Sequence, residues 1–459
     1  MTLIRKVQGG QCLQKMAPWR FVFCIAVGII VWYTVPASVE TRLGLGLFVF
    51  IGLLWITQAL HLVVTALLVP LLAAILGLMP VKEGLSSFAN PTIFLFMGGF
   101  ALAAALATHG LDRALALFML RLSKGQQLRA VLLLCGLTAL LSMWMSNTAT
   151  VAMMLPLALG LLAQHDGANT CHPRTQAFIL LALAYSASIG GMGTIVGSPP
   201  NAIVAAYGGI TFAQWMALAV PVVALLWPLM LLVLWLILRP EFSQVSVLSN
   251  EGFKWSQAKT KAVAIFLLTV FAWIMGGWLA PLIGISADFD TVVALAAIVA
   301  LAGFRVVSWS DLQKHMQWGV LLLFGGGIAL GQVMAASGAS AYLAEIVLGN
   351  ILGLPVWLII TVIVACVVFL TEFVSNTASA ALLVPLLAPV AVAMDLQPLY
   401  LGAAIALSAS CAFMLPVATP PNALVFATDR VPQPTMMRCG FALNLMCIAV
   451  LASIVYLWW

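Results

Sequence analysis

The sequence predicts an all-α polytopic membrane protein of about eleven transmembrane helices plus two re-entrant hairpins, built as two inverted-topology repeats after one extra N-terminal span. Three observations carry that reading. The chain is 64% hydrophobic and 7% charged, with a mean hydropathy of +1.15, far outside the range of soluble domains. Its apolar residues run on for about twenty at a time, where barrel strands would alternate them with polar ones. A set of short polar islands also occurs twice, in the same order.

The elements follow in chain order. Arg5, Lys6, Lys15 and Arg20 precede an apolar run from Phe21 to Val35. This start imitates a secretory signal, with Pro36-Ala37-Ser38 supplying small residues, but a dozen apolar segments follow and a retained first span is expected. Residues 1–40 are therefore read as a cytoplasmic segment and the first span. The first repeat is assigned to 41–239, with apolar segments near 44–61, 62–80, 92–120, 130–165, 176–210 and 214–238. A polar linker, 240–261, joins the repeats on the cytoplasmic face, with Gly252 to Lys259 along the interface. The second repeat is assigned to 262–459, with segments near 262–281, 291–304, 318–348, 355–394, 398–428 and 439–458.

Segments 130–165 and 355–394 are interrupted by Ser146-Asn147-Thr148-Ala149 and Ser375-Asn376-Thr377-Ala378. Each half is about fifteen residues, short for a span at 1.5 Å per residue, so both are read as re-entrant hairpins with the islands at their tips. Segments 176–210 and 398–428 are read as broken helices, interrupted at Ser198-Pro199-Pro200-Asn201-Ala202 and Thr419-Pro420-Pro421-Asn422-Ala423. With the N-terminus inside, only Arg42 and Lys82 of the 19 basic residues fall outside, which is the asymmetry the positive-inside rule demands. The C-terminus then lies outside, as do Asp288 and Asp290. Treating each hairpin as two full spans would leave the charge asymmetry unchanged.

The halves match in detail. Phe96-Met97-Gly98-Gly99 corresponds to Phe324-Gly325-Gly326-Gly327 at an offset of 228, and the Ser-Asn-Thr islands correspond at 229. From 146 to 152, five of seven residues equal their partners at 375–381. Five spans per repeat, an odd number, orients the copies oppositely, as in secondary transporters.

The islands suggest a chemistry. Where two half-helices meet, one end offers free carbonyls and the other free N–H groups. Carbonyls, the hydroxyls of Ser146 and Thr148 and the amide oxygen of Asn147 are neutral oxygen ligands suited to Na⁺. Ser142 and Thr371 put a hydroxyl one turn before each tip. The N–H groups suit an anion, and Asn and Thr side chains add donors for a carboxylate. Proline fixes the breaks. Gly190, Gly191, Gly193 and Gly197 loosen the first break, where the second has Ala412, Phe413, Pro416 and Ala418. No Lys, Arg, Asp or His lies within these islands. The anion's counter-charge must then come from helix ends and bound cations, which makes anion binding depend on cation binding.

Other features are read more plainly. The alternative for the islands is interhelical hydrogen-bond glue. The eight cysteines lack metal spacing and read as small buried hydrophobes. The 15 tryptophans suit an interfacial belt and imply no organic cofactor. His61 and His109 read as structural hydrogen-bonding residues. Glu372, beside Thr371, is the one acid expected at membrane depth; its repeat partner is Met143, so it stands outside the symmetric core.

In these paired Ser-Asn-Thr and Ser/Thr-Pro-Pro-Asn motifs the chain resembles the divalent anion/sodium symporter family, over nearly its whole length. The resemblance implies a dimerising scaffold domain and a transport domain that moves elevator-fashion. It implies two or more Na⁺ sites, one at Ser142, Ser146, Asn147 and Gly197, another at Thr371, Ser375, Asn376 and Ala418. It implies substrate carboxylates held by Asn147, Thr148, Asn376 and Thr377, with Ser198, Pro200, Thr419 and Pro421 nearby. The expected activity is Na⁺-coupled symport of a divalent anion, a C4-dicarboxylate such as succinate, fumarate or malate, by a homodimer in the inner membrane. Na⁺-independent exchange of dicarboxylates, citrate or tartrate, and sulfate transport, are the alternatives within the fold. A channel is the alternative outside it, disfavoured because broken helices in inverted repeats suit alternating access. No nucleic-acid partner is expected, since the net charge of +6 is scattered over short loops. No HExxH, GxSxG or paired-aspartate motif suggests an enzyme.

Overall fold

The computed structural model describes residues 18–163, 172–242, 255–285, 287–351, 354–393 and 397–458. The N-terminal segment with Arg5, Lys6 and Lys15, the linker centre with Gly252 and Lys254, and Cys12 and Cys171 lie outside the described residues. Among the described residues there are helices and no strands. This follows from the solvent: in hydrocarbon a helix satisfies its own backbone, whereas an open strand edge does not.

A first helix, α1 (Pro18–Thr34), precedes α2 (Val39–Thr57) and α3 (Leu62–Ile75). The Ser38 side chain accepts from Thr41 N–H to start α2. The short α4 (Val81–Ser86) leads into α5 (Pro91–Thr108), which the Asn90 side chain caps by accepting from Thr92 N–H. Then come α6 (Leu111–Leu122), the hairpin arms α7 (Gln127–Ser142) and α8 (Asn147–Ala163), the broken pair α9 (Pro173–Gly190) and α10 (Pro199–Gly208), and the long α11 (Phe212–Leu238). The rest of the chain runs through α12 (Gln257–Ile274), α13 (Gly276–Leu282), α14 (Phe289–Gly303), α15 (Trp309–His315), α16 (Trp318–Ala336) and α17 (Ala339–Ile351). It ends with the hairpin arms α18 (Val356–Thr371) and α19 (Asn376–Ala393), the broken pair α20 (Pro398–Ala409) and α21 (Pro420–Phe426), and α22 (Gln433–Trp458).

Among the described residues, seven helical stretches are long and apolar enough to cross a membrane. The shorter apolar helices outside the hairpins, α1, α3, α14 and α20, bring the set to the eleven the sequence predicted. Two apolar segments divide differently from the sequence reading. Residues 92–120 break at Gly110 (φ +61°) and 318–348 at Gly338 (φ +72°), so each holds a long helix followed by a short one. Glycine enters the left-handed region without a Cβ clash, and it ends the helix there. Lys259, at the end of the stretch expected along the interface, lies in the first turn of α12, where its N–H is accepted by Ser256 Oγ at 3.4 Å.

Helices cross between the halves in a matched way. α5 packs on α14 and α16 on α3. A Cβ on Gly98 would sit 2.6 Å from that of Ala294, and one on Gly326 would sit 2.5 Å from that of Ala66. Both contacts need glycine, since small residues let membrane helices approach when no hydrophobic drive pulls them together. The two crossings are one contact repeated 228 positions on, 98 to 326 and 66 to 294. The histidines read as structural: His61 Nδ1 accepts from Val63 N–H at 3.4 Å, and His109 Nε2 donates to the Val306 carbonyl at 2.9 Å. Five described cysteines are buried, while Cys366 is exposed.

Candidate functional site

The first hairpin turns over residues 143–146, between the end of α7 and the start of α8. Ser146 Oγ accepts from Ala149 N–H at 3.3 Å, the N-cap geometry that ends a turn and starts a helix. Behind the tip, Ser142 is fully buried. Its Oγ lies 2.7 Å from the Ala187 carbonyl and 2.7 Å from Asn147 Oδ1. One hydroxyl hydrogen cannot serve both acceptors. Turning the Asn147 amide resolves this, since its nitrogen then donates to Ser142 Oγ at 2.7 Å, Ala187 O at 3.2 Å and Gly197 O at 3.3 Å. A hard cation among the four oxygens resolves it equally well.

The second tip repeats the arrangement. Thr371 Oγ1 lies 2.8 Å from the Ala409 carbonyl and 2.8 Å from Asn376 Oδ1. Each tip therefore brings a hydroxyl, a backbone carbonyl and an amide oxygen together, all of them neutral.

The breaks are held by their own asparagines. Asn201 Nδ2 donates to the carbonyls of Gly191 (2.9 Å), Met192 (3.2 Å) and Thr194 (2.7 Å). Asn422 Nδ2 donates to Ala412 O at 3.0 Å and Leu415 O at 3.1 Å. Each amide ties off carbonyls that the break removes from the helix. In both residues Oδ1 is buried without a hydrogen-bond donor among the described residues, the kind of acceptor that water or a cation satisfies. The breaks also meet: Tyr185 Oη donates to Phe413 O at 2.7 Å, and Ser198 Oγ lies 3.4 Å from Ser410 Oγ.

Glu372 finds its place here. It is 1% exposed, and Oε1 accepts from the N–H groups of Phe413 (2.8 Å) and Met414 (2.9 Å) and from Asn444 Nδ2 (2.8 Å). Oε2 accepts from Leu415 N–H at 3.1 Å. A carboxylate at membrane depth is costly unless hydrogen-bonded, and these four donors account for it.

Both tips and both breaks open on one cavity of about 330 Å³. The N-termini of four helices, α8, α10, α19 and α21, begin at its wall, through Asn147, Pro199, Asn376 and Pro420. All four N-termini carry a partial positive charge, but only α8 and α19 can add N–H groups at their first residues, because α10 and α21 open on Pro199-Pro200 and Pro420-Pro421, which have none. None of the lining residues is charged.

The chain matches the family model described as "Citrate transporter" over residues 52–406. The chain belongs to the citrate transporter family. A transporter of Haemophilus influenzae, named only as uncharacterized, is 45% identical over 446 residues, covering 96% of each chain. The sodium-dependent dicarboxylate transporter SdcS of Staphylococcus saprophyticus is 33% identical over 447 residues, covering 90% of this chain and 85% of its own. These matches agree with the symporter resemblance read from the motifs. The YdaH transporter of Alcanivorax borkumensis shares the fold at TM-score 0.56 and 14% identity, over 82% of this chain and 87% of its own.

In this citrate transporter family member, Ser146, Asn147, Thr148, Gly197 and Ser198 line the cavity together with Ser375, Asn376, Thr377, Ala418, Thr419 and Pro421. Ser142 and Thr371 stand behind the tips, within reach of the two asparagines but off the cavity wall. Pro200 is buried and Pro199 lines the wall in its place, because neighbours on a helix point about 100° apart. Gln58 and Gln317 also line the cavity, and no motif flagged them. Each sits at the edge of an apolar run, where a lone glutamine reads as an interfacial residue. Asn201 and Asn422 were legible as motif members but not as the groups that hold the breaks.

Proposed function

We propose that this chain is a secondary carrier of small divalent anions, most directly C4-dicarboxylates, coupled to Na⁺ and working by alternating access. The observation that supports it is the cavity: two oxygen-lined tips and four helix N-termini around a wall without a charged side chain. A dianion there meets partial positive charges from helix ends, and full positive charges only from cations at the tips. Each ligand then raises the affinity of the other by the same factor. The Na⁺-dependent dicarboxylate relatives support the same substrate class.

In this reading the two halves are inverted repeats, with Ser142, Ser146, Asn147 and Gly197 holding one Na⁺ and Thr371, Ser375, Asn376 and Ala418 another. Asn147, Thr148, Asn376 and Thr377 hold the carboxylates, with Ser198, Pro200, Thr419 and Pro421 nearby. The hairpins and broken helices move as a transport unit against a scaffold that dimerises in the inner membrane. Phe373 and Val417, beside the cavity, are 74% and 84% exposed. Gln58 and Gln317 fall at cytoplasmic helix ends by the charge assignment, so the cavity is read as open to the cytoplasm.

Exchange without Na⁺ is the second reading, and the partial positive charge of the helix N-termini favours it, since it attracts an anion without a bound cation. The test is uptake of labelled succinate into proteoliposomes. Symport predicts accumulation that follows an inward Na⁺ gradient with a dependence steeper than first order. Uptake indifferent to that gradient and dependent on internal dicarboxylate would replace symport by exchange.

A further inference from the structure

A cavity of about 550 Å³ lies between the start of α9, the end of α11 and the start of α22. It shares no lining residue with the transport cavity. Each of the three helix ends brings one arginine to its lining: Arg174, Arg239 and Arg438. No Asp or Glu is among the lining residues. None of the three guanidinium groups makes a hydrogen bond or an ion pair among the described residues, whereas Lys314 pairs with Asp311 at 3.5 Å. The walls are fixed to one another. The fully buried Thr175 donates from Oγ1 to Glu241 O and accepts there from Glu241 N–H, both at 3.0 Å. That joint ties the chain beside Arg174 to the chain just beyond Arg239. Phe178, Trp235 and Phe242 pack around it with ring centroids 5.6 to 6.2 Å apart, and α22 packs on both α9 and α11. Arg174 stands in the first turn of α9, the positive end of a helix, where a cation is disfavoured. The positive-inside rule asks for basic residues in cytoplasmic loops. It does not ask that three of them line one cavity without an acid, where like charges repel until an anion offsets them.

We propose that this cavity binds an anionic phosphate group, carried by a lipid headgroup or by a small soluble phosphate. Guanidinium forks match phosphate oxygens two at a time, and phosphate offers more acceptor oxygens than a carboxylate to the arginines of three elements. Pro173, Pro432 and Pro434, also in the lining, have no N–H to give, so the arginines carry the recognition. Leu236, 61% exposed, completes an apolar side of the wall against which an acyl chain can lie; a soluble phosphate needs the arginines alone. A bound phosphate ties α9, which leads into the first break, to α22, whose Asn444 holds Glu372 at 2.8 Å. It braces the helices behind the transport cavity, whatever that cavity carries.

Thermal unfolding of the full-length protein in detergent, titrated with pyrophosphate or with phosphatidylglycerol at about 0.15 M salt to screen surface charge, tests this without reference to transport. A ligand of the folded state raises the melting temperature with its concentration. The expected result is a saturable rise with at least one of the two probes. Phosphatidylcholine, whose choline offsets the phosphate charge, should give none. A rise with pyrophosphate alone assigns the site to a soluble phosphate, and a rise with phosphatidylglycerol alone assigns it to a headgroup. Arg174→Gln, Arg239→Gln and Arg438→Gln should each raise the half-saturating concentration about tenfold, the worth of one charged hydrogen bond. Arg129→Gln, Lys261→Gln and Arg305→Gln together remove three charges outside the cavity and should leave that concentration unchanged. No rise with either probe, an equal rise with phosphatidylcholine, or equal weakening in the outside triple variant would overturn the proposal. Where a glutamine variant does not elute as wild type does, the matching Arg→Lys variant keeps the charge, loses the fork and should still weaken binding.

Discussion

Between α9 and α10 the first broken helix turns through Gly191, Met192 and Gly193, and Thr194 Oγ1 donates back to the Met143 carbonyl at the hairpin tip. Between α20 and α21 the second break lacks those glycines, and Glu372 reaches across from its own tip to take three backbone N–H groups. Met143 and Glu372 are matched positions, 229 residues apart like the tips themselves. The link between tip and break is thus made at the same place, with the break donating to the tip in both halves and side chain and backbone exchanging roles. The hydroxyl behind each tip is kept alike: Ser142 on Ala187 O, Thr371 on Ala409 O, each against its asparagine. The comparison separates what the site requires from what merely holds it.

That separation is open to attack, most forcefully at the asparagines. Asn147→Ala and Asn376→Ala should each raise the half-saturating Na⁺ concentration roughly 10- to 100-fold, the worth of one oxygen to a charged partner, as read by succinate uptake over a Na⁺ series. Both variants should keep the wild-type elution profile. Equal effects would sharpen the symmetry; an effect at one tip alone would break it.

The links come next. Glu372→Ala leaves the N–H groups of Phe413, Met414 and Leu415 without an acceptor, which should cost roughly 3 kcal/mol in thermal unfolding. Glu372→Gln keeps one carbonyl acceptor and should lose about half as much. Met143→Ala should lower the melting temperature far less, because its contribution is a backbone carbonyl that alanine retains.

A smaller effect is expected from the packing of the breaks. A Cβ on Gly191 would stand 2.3 Å from Asn147 Oδ1, so Gly191→Ala should weaken Na⁺ dependence roughly tenfold. Ala412→Gly in the other break should stay near wild type in the same assay. The smallest belongs to Ser198→Ala, which removes a 3.4 Å hydroxyl contact at the edge of hydrogen-bond range. It should shift stability by less than about 0.5 kcal/mol.

Much of this was readable from residues. The two Ser-Asn-Thr islands announced the tips because polar residues in the middle of apolar runs need a partner, and the duplication fixed their pairing. Ser142 and Thr371 were legible from helical spacing. Glu372 was visible but could not be placed, since its partners are backbone N–H groups some 40 residues on that no side-chain pattern encodes. The turns at Gly110 and Gly338 were missed because glycine is common in membrane helices and carries no sign of its φ.

The central claim is that the anion's counter-charge is supplied by cations at the two tips. Binding of succinate to the purified protein, by calorimetry with Na⁺ and with choline in its place, tests it most directly. The account predicts affinity at least roughly tenfold weaker without Na⁺, the scale of an ordinary coupling energy. Equal affinity in the two salts would contradict it and leave the helix N-termini as the whole of the anion site.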